Sequence, residues 1–290
     1  MKTKSYIYII LAGLLWGTSG IFVNVLAPYG FTSLQMTFLR VFVSFLTVLL
    51  YIAIKDRTLF CCNWKELVLF ACSGICLFAT AASYFSSMQL TSISTAVMLM
   101  YTASIFVMIF SVMFFGEKFT RLKALALVCM IIGCGFVSGI IGGLKFNLSG
   151  IGLGLLSGIS YSAYNIFTKL QMRRKSHPFK ATFYCFLFAS ICAFFVSNPA
   201  EIITYIPSNP LLIIILSTAL GICTCVLPYI FYTISLKHLP VGTAASLGII
   251  EPMAATVYGV MIFSEPITFI SLTGIVLILG AVFMLSKSDN

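Results

Sequence analysis

Apolar residues gather into ten runs, at about 6–26, 33–54, 66–88, 92–115, 122–141, 148–169, 179–197, 210–236, 240–264 and 267–286. Each is close to the roughly 20 residues with which an α-helix crosses about 30 Å of hydrocarbon. The pattern predicts an all-α integral membrane protein of ten transmembrane helices, with no stretch left for a folded domain outside the bilayer. Polar residues inside the runs are not scattered. At about 100° per residue, Ser157, Tyr161, Tyr164, Asn165 and Thr168 share one side of the sixth helix. Thr80, Ser83, Tyr84, Ser87 and Thr91 do so on the third, and Ser33, Thr37, Arg40, Ser44 and Thr47 on the second. Cys225, Tyr229, Tyr232 and Thr233 make a shorter stripe on the eighth. In lipid, such a side turns toward other helices or toward water. Small hydroxyls there serve as interhelical hydrogen-bond glue or line a path, whereas Tyr and Asn are bulkier and suit a cavity wall.

Composition narrows the classes. Mean hydropathy is +1.10, and 8% of residues are charged, far below the roughly one quarter of a soluble domain. The net charge of +10, from 17 basic and 7 acidic residues, invites a test for nucleic-acid binding. Its placement answers differently. With the ten spans above, the basic residues outside them collect on one side, Lys2, Lys55, Lys118, Arg173 and Lys180 among them, and only Lys145 falls opposite. The positive-inside rule then puts both termini in the cytoplasm of an inner or plasma membrane and removes the nucleic-acid reading. The basic stretch from Lys169 to Lys180 reads as an inner loop. Eight of the ten cysteines fall within spans as small hydrophobes, leaving no outer pair for a disulfide. His177 and His238 stand alone, so neither a metal site nor a cofactor is expected. The first run continues to Leu26 with no small-residue cleavage pattern and reads as a retained helix.

The chain also repeats itself. Gly13-Leu14-Leu15-Trp16-Gly17 matches Gly154-Leu155-Leu156-Ser157-Gly158, and the same offset pairs Asn24 with Asn165. Thr95-Ala96 recurs as Thr243-Ala244, and Phe114 to Thr120 recurs as Ile262 to Thr268, aligning Glu117 with Glu265. The unit holds five spans, an odd number, so the second copy enters from the opposite side. Residues 1–143 and 144–290 are therefore expected as two inverted five-helix repeats around a central cavity, the construction of alternating-access transporters. Glycines four apart, Gly13 and Gly17 and then Gly150, Gly154 and Gly158, permit close helix packing.

Leu15-Trp16-Gly17-Thr18-Ser19-Gly20, Leu39-Arg40-Val41-Phe42, Phe115-Gly116-Glu117-Lys118 and Glu251-Pro252 followed by Phe263-Ser264-Glu265-Pro266 stand in order along the chain. Together they resemble the EamA-type transporters of the drug/metabolite transporter superfamily. The resemblance covers the whole chain and implies a ten-helix basket moving small metabolites, often outward. One departure is Ser104, where such chains often place a proline opposite Pro252; unequal bending of the two halves is expected from it.

Arg40 and Glu251 are the ionisable residues deepest in the runs. An isolated charge at that depth costs several kcal/mol, so each needs a partner or water. Three arrangements satisfy them: a direct Arg40–Glu251 ion pair; Arg40 on helix-end carbonyls beside a protonated Glu251; or a Glu251 that faces the cavity and exchanges a proton during transport. Pro252 frees a backbone carbonyl beside Glu251 and marks a kink. Trp16 lies too deep for an interfacial belt, and its indole N–H needs an acceptor.

These features predict a secondary active transporter. Trp16, Asn24, Tyr84, Tyr101, Tyr161, Tyr164, Asn165, Tyr229 and Tyr232 form the substrate wall, and Arg40 and Glu251 hold charge. Few cavity charges beside many tyrosines, with the family resemblance, point to export of amino acids or similar small polar or amphipathic solutes, driven by a proton or substrate gradient. A single chain suffices for the cavity. The phosphate-binding G-x-x-x-x-G-K-[ST] pattern is absent. An intramembrane enzyme would need a nucleophile with its base, a metal cluster or paired carboxylates, which the runs do not offer. The closer rival is a translocase passing lipids or other amphipathic molecules through a lateral opening.

Overall fold

Most of the apolar runs become one long helix or a pair of helices in line. The computed structural model describes residues 2–91, 93–137, 147–205, 210–264 and 268–288. The fold holds α1 (Lys2–Gly17), α2 (Ser19–Leu26), α3 (Ser33–Lys55), α4 (Trp64–Leu90), α5 (Ile93–Tyr101), α6 (Ala103–Phe115), α7 (Arg121–Val137) and α8 (Leu148–Arg173). It continues with α9 (Pro178–Val196), α10 (Pro199–Tyr205), α11 (Pro210–Gly221), α12 (Leu227–Ser235), α13 (Val241–Leu247), α14 (Ile250–Phe263) and α15 (Phe269–Ser288). Seven stretches among the described residues are long and apolar enough to cross a membrane: Thr3–Leu26, Ser33–Lys55, Trp64–Leu90, Thr95–Phe115, Pro178–Val196, Pro210–Ser235 and Val241–Phe263. The other three expected spans fall short for different reasons. Helix α7 has 17 described residues, α8 has the length but is rich in glycine and serine, and the last run contributes the shorter Phe269–Leu285. The 143/144 boundary, Lys145, Glu265 and Pro266 lie outside the described residues.

Capping residues set several helix starts. Thr32 and Gln35 form a reciprocal box at the head of α3, Asn63 and Glu66 do so for α4, and the Asn147 side chain accepts from Gly150 N at 2.9 Å. Each satisfies backbone N–H groups that a helix start leaves free. Gly116, at φ 63°, ends α6 in the left-handed conformation that glycine adopts without penalty.

Among the described residues, four of the membrane-length stretches are interrupted within their length. At the α1–α2 joint, Thr18 Oγ1 and Ser19 Oγ donate to the carbonyls of Leu15 and Trp16, each at 2.6 Å. At the α5–α6 joint, Thr102 Oγ1 donates to Leu99 O at 2.5 Å. Hydroxyls that bond to the preceding turn compete with the helical ladder and favour such breaks. A π turn, Ile222–Val226, separates α11 from α12, and α13 gives way to α14 at residues 248–249, just before Glu251-Pro252. Ser104 in place of proline therefore does not spare the first half a break.

Helix α8 sits against α4, α5 and α6, while α1 lies between α12 and α14, and α7 pairs with α15. Close approach explains the spaced glycines. A Cβ at Gly154 would stand 2.5 Å from Leu99 Cδ1, and one at Gly17 would stand 2.7 Å from Ala254 Cβ. Large apolar side chains such as Phe195, Leu211 and Phe269 are exposed on the outside, as a lipid-facing surface requires.

Candidate functional site

The interrupted spans bring their ends together. Tyr101 is the last residue of α5 and Glu251 the second of α14, and the Tyr101 hydroxyl donates to Glu251 Oε2 at 2.8 Å. Ser104 Oγ reaches Ala245 O at 3.4 Å across the same meeting point. Glu251 thus lies in the first turn of a helix, where the macrodipole favours a carboxylate. Helix α1 holds it there, since Gly17 lets α1 approach within reach of the Glu251 carbonyl. Tyr84 and Tyr161 lie within electrostatic range of the carboxylate. The Tyr161 hydroxyl would be 3.9 Å from a Cβ built on Gly248, which places it beside the α13–α14 break.

A second cluster adjoins this one. Trp16 meets the Tyr229 ring edge-on, with centroids 5.3 Å apart, and tilts against Tyr232 at 5.6 Å. Tyr164 stacks on Tyr161 at 5.9 Å and meets Tyr229 edge-on at 5.8 Å. Asn165 is wholly buried: its Nδ2 donates to Tyr161 O at 2.7 Å, and its Oδ1 accepts from the Tyr232 hydroxyl. The amide therefore locks α8 to α12. The indole Nε1 of Trp16 is buried without a partner among the described residues.

Arg40 faces the same region from α3. Its guanidinium makes no hydrogen bond and no ion pair among the described residues, and its Nε is fully buried. Glu251, Tyr84, Cys225 and Tyr229 lie within electrostatic range of it. Two of the three arrangements anticipated for the buried charges are therefore not those adopted: no nitrogen–oxygen distance of 4.0 Å or less joins Arg40 to Glu251, and no helix-end carbonyl receives the guanidinium. Tyr101 takes up the carboxylate instead, and the cation is left open. A cavity of about 10 Å³, room for about one water, lies between Arg40, Thr37, Ala81, Ala189, Cys225 and Tyr229. A second of about 10 Å³ lies between Tyr164, Gln171, Cys185, Tyr229 and Thr233. Tyr229 walls both.

Of the residues singled out from the sequence, Trp16, Arg40, Tyr84, Tyr101, Tyr161, Tyr164, Asn165, Tyr229, Tyr232 and Glu251 meet here, with Pro252 in the first turn of α14. Asn24 does not; its side chain is exposed near the end of α2. The small hydroxyls of the stripes mostly bond within their own helices, as in Thr37 to Ser33 O and Thr168 to Tyr164 O. Two others link helices: Ser87 donates to Gly150 O at 2.7 Å and Ser44 to Gly221 O at 3.0 Å.

Sequence reasoning missed a set of contacts at the basic end. Lys169, expected in a loop, lies within α8 and is 7% exposed; its Nζ donates to Leu236 O at 2.7 Å and Leu239 O at 2.6 Å. Glu117 accepts from Val241 N at 2.9 Å and Gly242 N at 3.4 Å at the head of α13. Arg173 donates to Phe115 O at 3.2 Å and sits 4.4 Å from that ring's centre. Lys180 pairs with Glu66 at 2.8 Å. One signal was available: Glu117 recurs as Glu265, a repeated acid at a helix end.

Comparison with known proteins places this geometry. The EamA-like transporter family matches residues 3–139 and again residues 148–287. The chain is 30% identical to an uncharacterized transporter of Archaeoglobus fulgidus over 282 residues, covering 95% of this chain and 94% of that one. It is 25% identical to the uncharacterized transporter YwfM of Bacillus subtilis, covering 100% and 96%. A solved crystal structure shares the fold at 16% identity and a TM-score of 0.81, covering 100% of this chain and 98% of that chain.

Proposed function

For a chain that belongs to the EamA-like transporter family, we propose secondary active transport of small polar or amphipathic metabolites, amino acids among them, outward across the plasma membrane by alternating access. The observation that carries this reading is the meeting of interrupted helices from both parts of the chain on one cluster, joined by the Tyr101–Glu251 hydrogen bond. Broken helices whose ends converge at mid-depth are how transporters build a site inside a bilayer. Helices α7, α8 and α15 complete ten spans in this reading, and residues 1–143 and 144–290 form inverted repeats; one family matching each part supports that division. Both termini and the basic end face the cytoplasm. The contacts of Glu117, Lys169 and Arg173 then close the cytoplasmic side, and the two water-sized cavities belong to a closed central site. Glu251 carries the coupling proton, with Tyr101 as its hydrogen-bond partner.

The test is a thermal-shift screen of the detergent-purified chain against amino acids, nucleosides, sugars, polyamines and lipid head groups, because a ligand that binds the folded state raises its stability. Stabilisation by a small solute, lost in Tyr164→Ala, is the expected result. A response confined to lipid head groups would replace this reading with a lipid translocase.

A further inference from the structure

Arg40 is a permanent cation two turns into the membrane-spanning helix α3, with no hydrogen-bond or ion-pair partner among the described residues. A guanidinium presents five N–H donors and does not lose its proton. In a low-dielectric interior, such a group is strongly disfavoured unless an anion or water meets it. This chain supplies neither an ion pair nor a hydrogen bond to Arg40 among its described residues. Among the described residues, Glu251 is the carboxylate within its electrostatic range, and it is already engaged by Tyr101. The cavity beside Arg40 is small, but Ala81 and Ala189 keep its walls slim. Tyr229 walls both this cavity and the second one near Tyr164 and Gln171. The Trp16 ring meets Tyr229 edge-on, and its indole Nε1 is a second buried donor with no acceptor among the described residues. Tyr229 thus neighbours two donors that have no acceptor among the described residues.

We propose that Arg40 is the carboxylate receptor of the central site, and that the transported solute brings the missing anion as a single carboxylate on a compact, largely apolar body. The Trp16 N–H adds a second donor, and the rings of Tyr164, Tyr229 and Tyr232 cover the apolar body. The site is too apolar for a sugar or a phosphorylated solute, whose many polar groups would stay unpaired. This inference rests on the transporter reading above and names what that site takes.

The experiment uses the full chain in nanodiscs with a matched series: acetate, 4-methylpentanoate, leucine, leucine methyl ester and 3-methylbutylamine. Dissociation constants are measured for the parent, Arg40→Gln and Arg40→Lys. The expected result is that leucine and 4-methylpentanoate bind, while the ester and the amine bind about tenfold or more weakly, since a charge-assisted pair is lost. In Arg40→Gln the acid-to-ester ratio falls toward one, and Arg40→Lys restores part of it. That ratio compares two ligands on one preparation, so loss of folded protein does not move it. Equal binding of acid and ester, an unchanged ratio in Arg40→Gln, or no stabilisation by any carboxylate would overturn the proposal. If amines, nucleosides or sugars then stabilise the chain and cross in proteoliposomes, transport stands and the Arg40 assignment alone falls. If no solute of any class binds or crosses, the transporter reading itself falls.

Discussion

Two of the cations drawn into this fold, Lys169 and Arg40, are treated in opposite ways. Lys169 is buried near the basic end and has two carbonyl oxygens, of Leu236 and Leu239, within 2.7 Å. Arg40 lies two turns into α3 and has no partner among the described residues. The first ties α8 to the turn between α12 and α13, bonding the carbonyls of the C-cap Leu236 and of Leu239. The second spends stability that folding alone gives no reason to spend. A buried charge that is satisfied reads as architecture, while one left unsatisfied reads as a place kept for something else.

The largest effect expected from breaking this contrast is at Lys169. Lys169→Met leaves two carbonyls unpaired and should cost on the order of 2–4 kcal/mol, read as a lower unfolding midpoint in detergent. Arg40→Met should instead stay within about 1 kcal/mol of the parent or exceed it, because an unpaired buried charge is replaced by an apolar chain of similar volume. Equal losses in the two variants would erase the distinction. Glu251→Gln sharpens it from the anionic side. The Tyr101 hydroxyl can donate to an amide oxygen as it does to a carboxylate, so folding and solute exchange should persist while flux driven by a pH gradient falls about tenfold or more, about 1.4 kcal/mol. Normal gradient-driven flux in proteoliposomes would remove Glu251 from proton coupling. Trp16→Phe is the mildest case. The lost N–H has no partner among the described residues, so stability should change by roughly 1 kcal/mol or less through packing alone, while carboxylate affinity weakens roughly threefold, the lower end of one neutral hydrogen bond. An unchanged affinity would leave Arg40 as the sole receptor.

The contrast also shows where reading by pattern succeeds. Tyr161, Tyr164 and Asn165 share a helix side in any α-helix, and lipid forbids that side from facing outward, so their meeting with other polar stripes follows from periodicity and solvent. The break at Thr102 was not legible, since the proline that signals such breaks is absent and a threonine hydroxyl does its work. Asn24 paired with Asn165 by offset alone, yet it lies near the end of α2 and is exposed. Equivalent positions in a repeat share a register but not the neighbours that bury them.

What the chain by itself determined was the solvent it lives in, the approximate positions of its apolar runs, the polar sides of its helices and the two charges at depth. Those follow from hydropathy and a 3.6-residue period, which are local properties. Only the tertiary structure decided that Arg40 and Glu251 do not pair, that Tyr101 holds the carboxylate, and that Lys169 is buried on the carbonyls of Leu236 and Leu239. These outcomes depend on which helix ends meet across long separations in sequence, and on side-chain reach of a few ångströms. No periodicity within one helix records either quantity.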